Sequence, residues 1–372
     1  MKVLVAMDAY HGIISSYDAN RFVEEAVASQ IENADIVQVP LFNGRHELLE
    51  AVFLWRSGTQ YHIDIHDAQM RPISATYGQT EEGLTVIEAS QFMKADVSSI
   101  QQTSYGLGEV INHALDQDAT HFAISVGGTQ VFDGGAGMLQ ALGVRFYNDE
   151  GEQLDMRQGA GQIKYIRRID VSELRDDIYQ ARIQILSDFD SHFYGKQSEV
   201  MQRYNEIGMT RDEAVEIDNL LWYFSELFKN NLHIALGPVE RGGAGGGIAA
   251  VTQALLGGEV VTSHVLVDQI MGLDALVQHA DLIVFGEGIN EQDQQIETSS
   301  LRIAELAQKY DKTSIAICGT TDKFARFEAL GVTGMFNTFM DMPTTYPDFK
   351  LGIQLRSYTI QAIKLLQSQI GK

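Results

Sequence analysis

A glycine-rich stretch in the first half of the chain combines residue types that bind anions. Residues Gly127 to Gly137 carry glycine at five of eleven positions, with Asp133 before the last three. Apolar residues 121–126 predict a buried strand before this stretch, and residues 138–142 predict a helix after it. Glycine lets a backbone approach a ligand closely, and amides at a helix start attract negative charge. The stretch predicts a cradle for a phosphate or carboxylate; a tight turn capped by Asp133 is the alternative.

Acidic side chains recur directly after predicted strands. In a doubly wound α/β sheet, ligands bind beyond the carboxyl ends of the strands. Acids at those positions could hold Mg²⁺ and orient a hydroxyl nucleophile. Each acid taken singly is better explained as a helix cap or a solvated turn, so it is their recurrence that indicates a site. The four acids are Asp8, Asp188, Asp190 and Glu287.

Two common nucleotide-binding fingerprints are missing. No Gly-Lys-Ser/Thr follows a glycine loop, which argues against a P-loop. The second glycine run, Gly242 to Gly247, is followed by Ile248 where the dinucleotide fingerprint counted from Gly243 requires glycine. This difference disfavours a nicotinamide-dependent enzyme.

Composition narrows the range of partners and compartments. The formal net charge of −23 disfavours nucleic acids and anionic membranes, because long-range repulsion would oppose binding. The single cysteine, Cys318, excludes an intramolecular disulfide framework and fits a reducing compartment. No apolar run is long enough for a membrane span, and the run after Met1 is too short for a signal peptide. We therefore expect a cytoplasmic protein, with self-association left open.

Predicted strands and helices alternate at both ends of the chain, and these elements must position the residues described above. A length of 372 residues favours two domains. The region 61–90 has the alternation and polar breaks of antiparallel hairpins. We expect a two-domain α/β fold, in which a Rossmann-like parallel sheet from residues 1–60 and 280–372 receives an inserted mixed α/β domain, residues 61–279. The predicted strands of the chain ends are residues 2–7, 35–39, 282–285 and 314–318, and Ser16 is predicted to cap the first helix.

The order of these motifs resembles the glycerate kinase type I family over essentially the whole chain. In that family the first strand ends in Pro-Asp-Ser-Phe-Lys-Gly, where residues 7–12 are Met-Asp-Ala-Tyr-His-Gly. Residues 127–137 are similar to the family's Gly-Gly-Ser-Ala-Thr-Asn-Asp-Gly-Gly-Ala-Gly, and residues 140–146 match the family segment directly after it. Further resemblances lie at residues 104–109 (Thr-Tyr-Gly-Thr-Gly-Glu in the family), 188–190 (Asp-Val-Asp), 243–248 (Gly-Ala-Ala-Gly-Gly-Leu) and 286–288 (the last acidic loop).

The resemblance implies transfer of the γ-phosphoryl group of ATP to a hydroxyl of glycerate, usually the 2-hydroxyl, with Mg²⁺. It implies a cleft between the two domains, with catalytic positions at Asp8, His11 and Asp188, and with Asp8 and Asp188 as magnesium ligands. The implied partners are ATP and a small anionic acid. The implied substrate- and phosphate-binding residues are Gly127, Gly128, Thr129, Asp133, Gly134, Asp190, Gly243, Gly245, Gly286 and Glu287.

The chain departs from the family pattern on the loops that the resemblance places next to the reacting groups. Phosphoryl transfer depends on positioning and charge stabilisation, so changed cations and acids matter most. The altered positions are His11 for lysine, Asn43 for aspartate, Glu291 for aspartate and Thr298 for lysine.

New cations near these loops suggest that part of the positive charge has moved. Arg45 and His46 enter the loop of residues 43–47, here called the second loop, and Arg241 precedes the second glycine run. We count Arg45 among the candidate substrate-binding residues. Two functions stay open. One is a kinase for glycerate or a close analogue that uses relocated cations. The other is a catalytically impaired relative that binds a small acid or a nucleotide as a regulatory protein.

Overall fold

The computed structural model describes residues 1–10, 13–45, 47–94, 99–288, 298–338 and 348–370. The chain divides into two compact units. Unit 1 comprises residues 1–43, 50–55 and 262–372, and unit 2 comprises residues 44–49 and 56–261. Residues 262–279 thus belong to the unit that contains both chain ends, whereas the sequence pattern assigned them to the inserted domain.

The strands of the described residues are, in chain order, β1 Lys2–Met7, β2 Asp35–Gln38, β3 Gly58–His66, β4 Pro72–Thr80, β5 Leu84–Glu88, β6 His121–Ser125, β7 Arg145–Tyr147, β8 Arg168–Asp170, β9 Arg182–Leu186, β10 Glu259–Val261, β11 Leu282–Glu287, β12 Thr313–Cys318 and β13 Gly334–Asn337. The α-helices of the described residues are α1 Ser16–Gln30, α2 Leu48–Trp55, α3 Tyr105–Leu115, α4 Ala136–Ala141, α5 Glu199–Arg203, α6 Arg211–Leu232, α7 Ile248–Leu256, α8 Ser263–Met271, α9 Leu273–His279, α10 Ser299–Lys309, α11 Phe324–Ala329 and α12 Asp348–Ile370.

Unit 1 is built on a parallel sheet with the strand order β13-β12-β11-β1-β2. Each neighbouring pair in it is parallel. Its three central strands, β12, β11 and β1, are mostly apolar and buried, as expected of strands covered on both faces. Helices α1 and α12 pack against each other beside this sheet. The Rossmann-like parallel sheet predicted from the two chain ends is confirmed.

The start of α1 differs from the prediction by one residue. Ser15, rather than Ser16, is the N-cap, and its Oγ accepts a hydrogen bond from the Asp18 amide at 3.1 Å. The hydroxyl of Ser16 instead donates to the Met7 carbonyl at 2.9 Å. Asn20 Nδ2 donates to the same carbonyl at 3.0 Å. These bonds fix the start of α1 to the carboxyl end of β1.

Unit 2 is built on a mixed sheet with the order β10-β9-β6-β5-β4-β3. The pairs β10/β9, β9/β6 and β6/β5 are parallel, while β5/β4 and β4/β3 are antiparallel. The antiparallel part corresponds to the predicted hairpin region, so the mixed sheet is confirmed. Within the residues that the structure describes, no helix is long and apolar enough to span a membrane.

Candidate functional site

In unit 1, two of the predicted acids lie at the carboxyl ends of neighbouring strands. Strands β1 and β11 pair with Met7 opposite Gly286, and the Asp8 amide donates to the Gly286 carbonyl at 2.9 Å. The Asp8 side chain is partly exposed, and its Oδ1 accepts from the Ala9 amide at 2.7 Å. Glu287 is buried and is the last residue of β11, whereas the sequence predicted that it follows the strand.

Gly286 has a steric reason to be glycine. A Cβ at this position would lie 1.9 Å from the Ile317 carbonyl oxygen and 2.6 Å from the Tyr10 hydroxyl. Tyr10 is fully buried and donates to that same carbonyl at 2.5 Å. Close packing of β11 therefore requires glycine, while a contact between Gly286 and a ligand stays a prediction.

Glu287 forms an ion pair with Lys323, a residue that the sequence analysis missed. Lys323 Nζ lies 2.8 Å from Glu287 Oε1 and 3.2 Å from Thr298 Oγ1. All three residues are buried, with exposed fractions of 8 to 9%. Thr298 is also the N-cap of α10, where its Oγ1 accepts from the Leu301 amide at 3.3 Å. The available signal for Lys323 was a cation in the loop that follows β12.

In unit 2, three separate chain segments meet beside the carboxyl ends of β6 and β9. The Gly127 amide donates to the Gly44 carbonyl at 2.7 Å. The Gly44 amide in turn donates to Asp188 Oδ2 at 3.0 Å. A Cβ on Gly127 would lie 2.4 Å from the Gly44 oxygen, so glycine is required for this approach. The predicted acid Asp188 therefore holds the second loop next to the start of the glycine-rich stretch.

A further acid at this edge, Glu88, was also missed. It is the last residue of β5 and pairs in parallel register with Ser125 of β6. The Leu49 amide donates to Glu88 Oε2 at 3.5 Å, and the Ser90 hydroxyl donates to Oε1 at 3.3 Å. Burial raises the pKa of the Glu88 carboxyl, and these hydrogen bonds oppose the increase. Glu88 was overlooked because it closes a strand of the hairpin region.

Asp133 is enclosed within the glycine-rich stretch and has no exposed surface. Its carboxylate accepts five hydrogen bonds, from the Ser104 amide at 2.8 Å, the Ser104 hydroxyl at 2.9 Å, the Gly135 amide at 3.0 Å, the Gly137 amide at 3.1 Å and the Thr103 hydroxyl at 3.5 Å. Burial raises the pKa of Asp133, whereas these bonds lower it. The contacts make Asp133 a structural centre of the stretch, and a direct ligand contact stays a prediction.

The two glycine-rich stretches pack against each other. The Gly134 amide donates to the Gly246 carbonyl at 2.9 Å. Gly246 has a φ of +65°, and a Cβ on it would lie 1.9 Å from the Val131 carbonyl oxygen. Several residues of these stretches that were predicted to bind phosphate or substrate are buried. They are Thr129, whose hydroxyl donates to the Val126 carbonyl at 2.9 Å, and Gly134, Gly243 and Gly245.

Comparison with known proteins gives a match over nearly the whole chain. A profile described as the glycerate kinase family matches residues 3–350. The chain belongs to the glycerate kinase family. The predicted resemblance is thereby confirmed, and family membership supports a phosphotransferase that uses a nucleotide.

Named relatives of this glycerate kinase family member cover nearly its whole length. It is 26% identical over 358 residues to a glycerate 2-kinase from Escherichia coli, covering 94% of this chain and 93% of the relative. It is 26% identical over 348 residues to a glycerate kinase from Halalkalibacterium halodurans, covering 92% and 90%. It also resembles the crystal structure of a protein assigned as glycerate kinase 2 from Salmonella typhimurium LT2, with a TM-score of 0.85, 25% identity and 99% coverage of both chains. This match confirms the α/β fold class.

The remaining predicted site residues have different degrees of exposure. Gly127 and Gly128 are partly exposed, and Asp190 is exposed. Arg45 Nη1 lies 3.9 Å from Glu206 Oε1, and both side chains are more than a third exposed, so this pair contributes little to stability. His11, His46 and Glu291 lie outside the described residues.

The donor set can be compared with what magnesium requires. Among the residues that the structure describes, no group of three His, Cys, Asp or Glu side chains could hold a metal ion. Mg²⁺ in phosphoryl-transfer enzymes usually takes one or two carboxylates and completes its shell with substrate phosphates and water. Taken singly, the partly exposed carboxylate of Asp8 in unit 1 and that of Asp188 in unit 2 each fit this chemistry. Their role as magnesium ligands stays a prediction.

Proposed function

We propose that this member of the glycerate kinase family catalyses the ATP-dependent phosphorylation of glycerate or a close hydroxy-acid analogue, with Mg²⁺. The observation that carries the proposal is the carboxyl edge of the unit 1 sheet. There the partly exposed Asp8 directly follows β1, and the neighbouring strand β11 ends at Glu287, which is paired with a buried lysine. An accessible acid and a fixed cation at the edge of one sheet are the types of side chain that phosphoryl transfer uses. Relatives named glycerate kinase or glycerate 2-kinase support the choice of acceptor.

The proposed reaction breaks the bond between the γ-phosphorus and the β,γ-bridging oxygen of ATP. The substrate hydroxyl oxygen forms the new bond to the γ-phosphorus, ADP leaves, and the hydroxyl proton passes to a carboxylate. We assign this proton and the orientation of the hydroxyl to Asp8 or Asp188, which are also the candidate ligands of Mg²⁺. When bound, the metal would neutralise charge on the transferred phosphoryl group.

The unit 2 loops would supply contacts to anionic groups. The partly exposed Gly127 and Gly128 are candidates to offer backbone amides, since such amides bind phosphates and carboxylates. Arg45 is a candidate for charge recognition because its charged side chain is 37% exposed. Thr129 and Asp133 support the shape of the glycine-rich stretch through the hydrogen bonds that they make inside it.

The second candidate function is a binding or regulatory protein without turnover. It is favoured by the changed positions His11, Asn43, Glu291 and Thr298, at which the family has lysine or aspartate. Such a protein would keep affinity for a nucleotide or a small acid and lose the chemical step.

The deciding experiment measures ADP release by the purified protein with Mg²⁺, ATP and D-glycerate. We expect Asp8→Ala to lower kcat/KM by about a hundredfold or more, because it removes the proposed base and metal ligand. The matched control is Asp35→Ala, an exposed acid on β2 of the same sheet, which should leave turnover unchanged. Equal turnover in wild type and Asp8→Ala would contradict the proposal. No turnover, with thermal stabilisation by ATP or D-glycerate, would support the second candidate.

A further inference from the structure

The ammonium group of Lys323 has bonding capacity beyond its contacts in the protein. A lysine ammonium carries three N–H donors. The described residues supply two acceptors, Glu287 Oε1 at 2.8 Å and Thr298 Oγ1 at 3.2 Å. Lys323 is only 8% exposed, so water has little access to it. A buried cation with an unused donor is costly, and an anionic ligand would satisfy it.

The first turn of α10 adds further unused polar groups beside this lysine. Helix α10 spans 11 residues and begins at Ser299, immediately after the cap residue Thr298 that contacts Lys323. Ser299 is 3% exposed and Ser300 is 1% exposed. Their hydroxyl oxygens have no hydrogen-bond partner in the described part of the chain. The first amides of a helix also lack intrahelical acceptors and carry partial positive charge. Two unpartnered serine hydroxyls and an unused lysine N–H thus accompany the amides of this helix start, of which that of Leu301 is capped by Thr298.

Position 298 links this group to the changed family pattern. The resembled family has lysine where this chain has Thr298. In the fold, the Lys323 ammonium reaches the hydroxyl of that same residue. The cation that is missing from position 298 is therefore supplied from the start of α11, 25 residues further along the chain.

We infer that Lys323 and the first turn of α10 form a subsite for a phosphate group of the nucleotide. Glu287 positions the ammonium through one of its N–H groups and leaves another for a phosphate oxygen. A phosphate has enough oxygens to accept from the ammonium, the helix amides and a serine hydroxyl together, whereas a carboxylate has two. The inference rests on the proposed function, because it assumes that the protein binds a nucleotide.

The test measures binding of Mg-ATP and of D-glycerate separately by titration calorimetry. Lys323→Met keeps the apolar stem and removes the charge, and we expect it to weaken Mg-ATP binding by about tenfold to a hundredfold. D-glycerate binding should stay within twofold. The exchange variant Thr298→Lys/Lys323→Thr returns a lysine to the family position, and it should recover most of the lost affinity. Lys309→Met is the matched control, since Lys309 is an exposed lysine of α10, paired with Asp274.

Each outcome decides for or against the subsite. Mg-ATP affinity within twofold of wild type in Lys323→Met would overturn it, and so would a loss confined to D-glycerate. If Lys323→Met does not fold because Glu287 is left buried and unpaired, Lys323→Met/Glu287→Gln removes both charges and is judged by the same criteria. If the wild-type protein phosphorylates D-glycerate and Lys323→Met binds Mg-ATP as tightly as wild type, only this inference is overturned. A wild type that binds neither ligand overturns the proposed function as well.

Discussion

The polar residues and glycines at the carboxyl edges of the two sheets differ in how far contacts inside the protein satisfy them. In unit 2, the glycine-rich stretches and Asp133 are occupied by contacts inside the protein, since Asp133 accepts five hydrogen bonds and Gly246 packs on Val131. In unit 1, Lys323, Ser299 and Ser300 are buried and retain unused polar groups. A motif that is prominent in sequence can therefore serve packing, while an inconspicuous lysine has bonding capacity left for a ligand.

The largest effect on stability is expected from Gly246→Ala. The new Cβ would lie 1.9 Å from the Val131 carbonyl oxygen and 2.7 Å from Phe132 Cα. Backbone atoms cannot move aside cheaply, so we expect the free energy of unfolding to fall by about 4 kcal/mol or more, measured by urea denaturation. The control is Gly257→Ala, which has a similar φ of +73° with no atom within 4 Å; it should cost about 1 kcal/mol. Equal losses would refute a packing role for Gly246.

An intermediate effect is expected from Asp133→Asn. The amide preserves the shape of the side chain but directs an NH₂ group at donors that now bond to a carboxylate. We expect the free energy of unfolding to fall by about 2 to 3 kcal/mol. The exposed Asp190→Asn should change it by less than about 0.5 kcal/mol. If Asp133→Asn is as stable as wild type but binds ligand less tightly, the role of Asp133 is ligand recognition and not packing.

The smallest effect, and one that depends on pH, is expected from Glu88→Gln. Burial raises the Glu88 pKa above its ordinary value of 4.5 in the folded state. The favourable contribution of the Glu88 carboxyl to the free energy of unfolding is therefore present below pH 4.5 and is lost as pH rises through the folded-state pKa. Glutamine undergoes no such loss, so the unfolding free energy of the variant minus that of wild type should increase from about pH 4 to pH 8. At the lower pH the two should differ by less than about 1 kcal/mol.

Urea denaturation across that pH range, with the exposed Glu81→Gln as a control, measures this difference. A difference that decreases with pH would show that the hydrogen bonds from Leu49 and Ser90 outweigh burial at Glu88.

The sequence by itself determined the elements with strong periodicity and the order of the family landmarks. Strand β1 was predicted at residues 2–7 and is observed at Lys2–Met7, and the strand predicted at residues 121–126 is observed at His121–Ser125. Apolar period and glycine punctuation are local properties, so they can be recognised without the fold. The short strand β10 and the helices α8 and α9 were not predicted, since a strand of three residues has almost no periodicity.

Only the tertiary structure decided which polar residues meet. Asp188 holds Gly44 across 144 residues of sequence, and Lys323 reaches Thr298 across 25. These contacts arise because parallel strands bring distant loops to one edge of a sheet, and strand order is set by burial over the whole chain. The same packing decides which glycines are enclosed, such as Gly246, and which are left partly exposed, such as Gly128. The sequence therefore identified the loops, and the tertiary structure determined which contacts their side chains make.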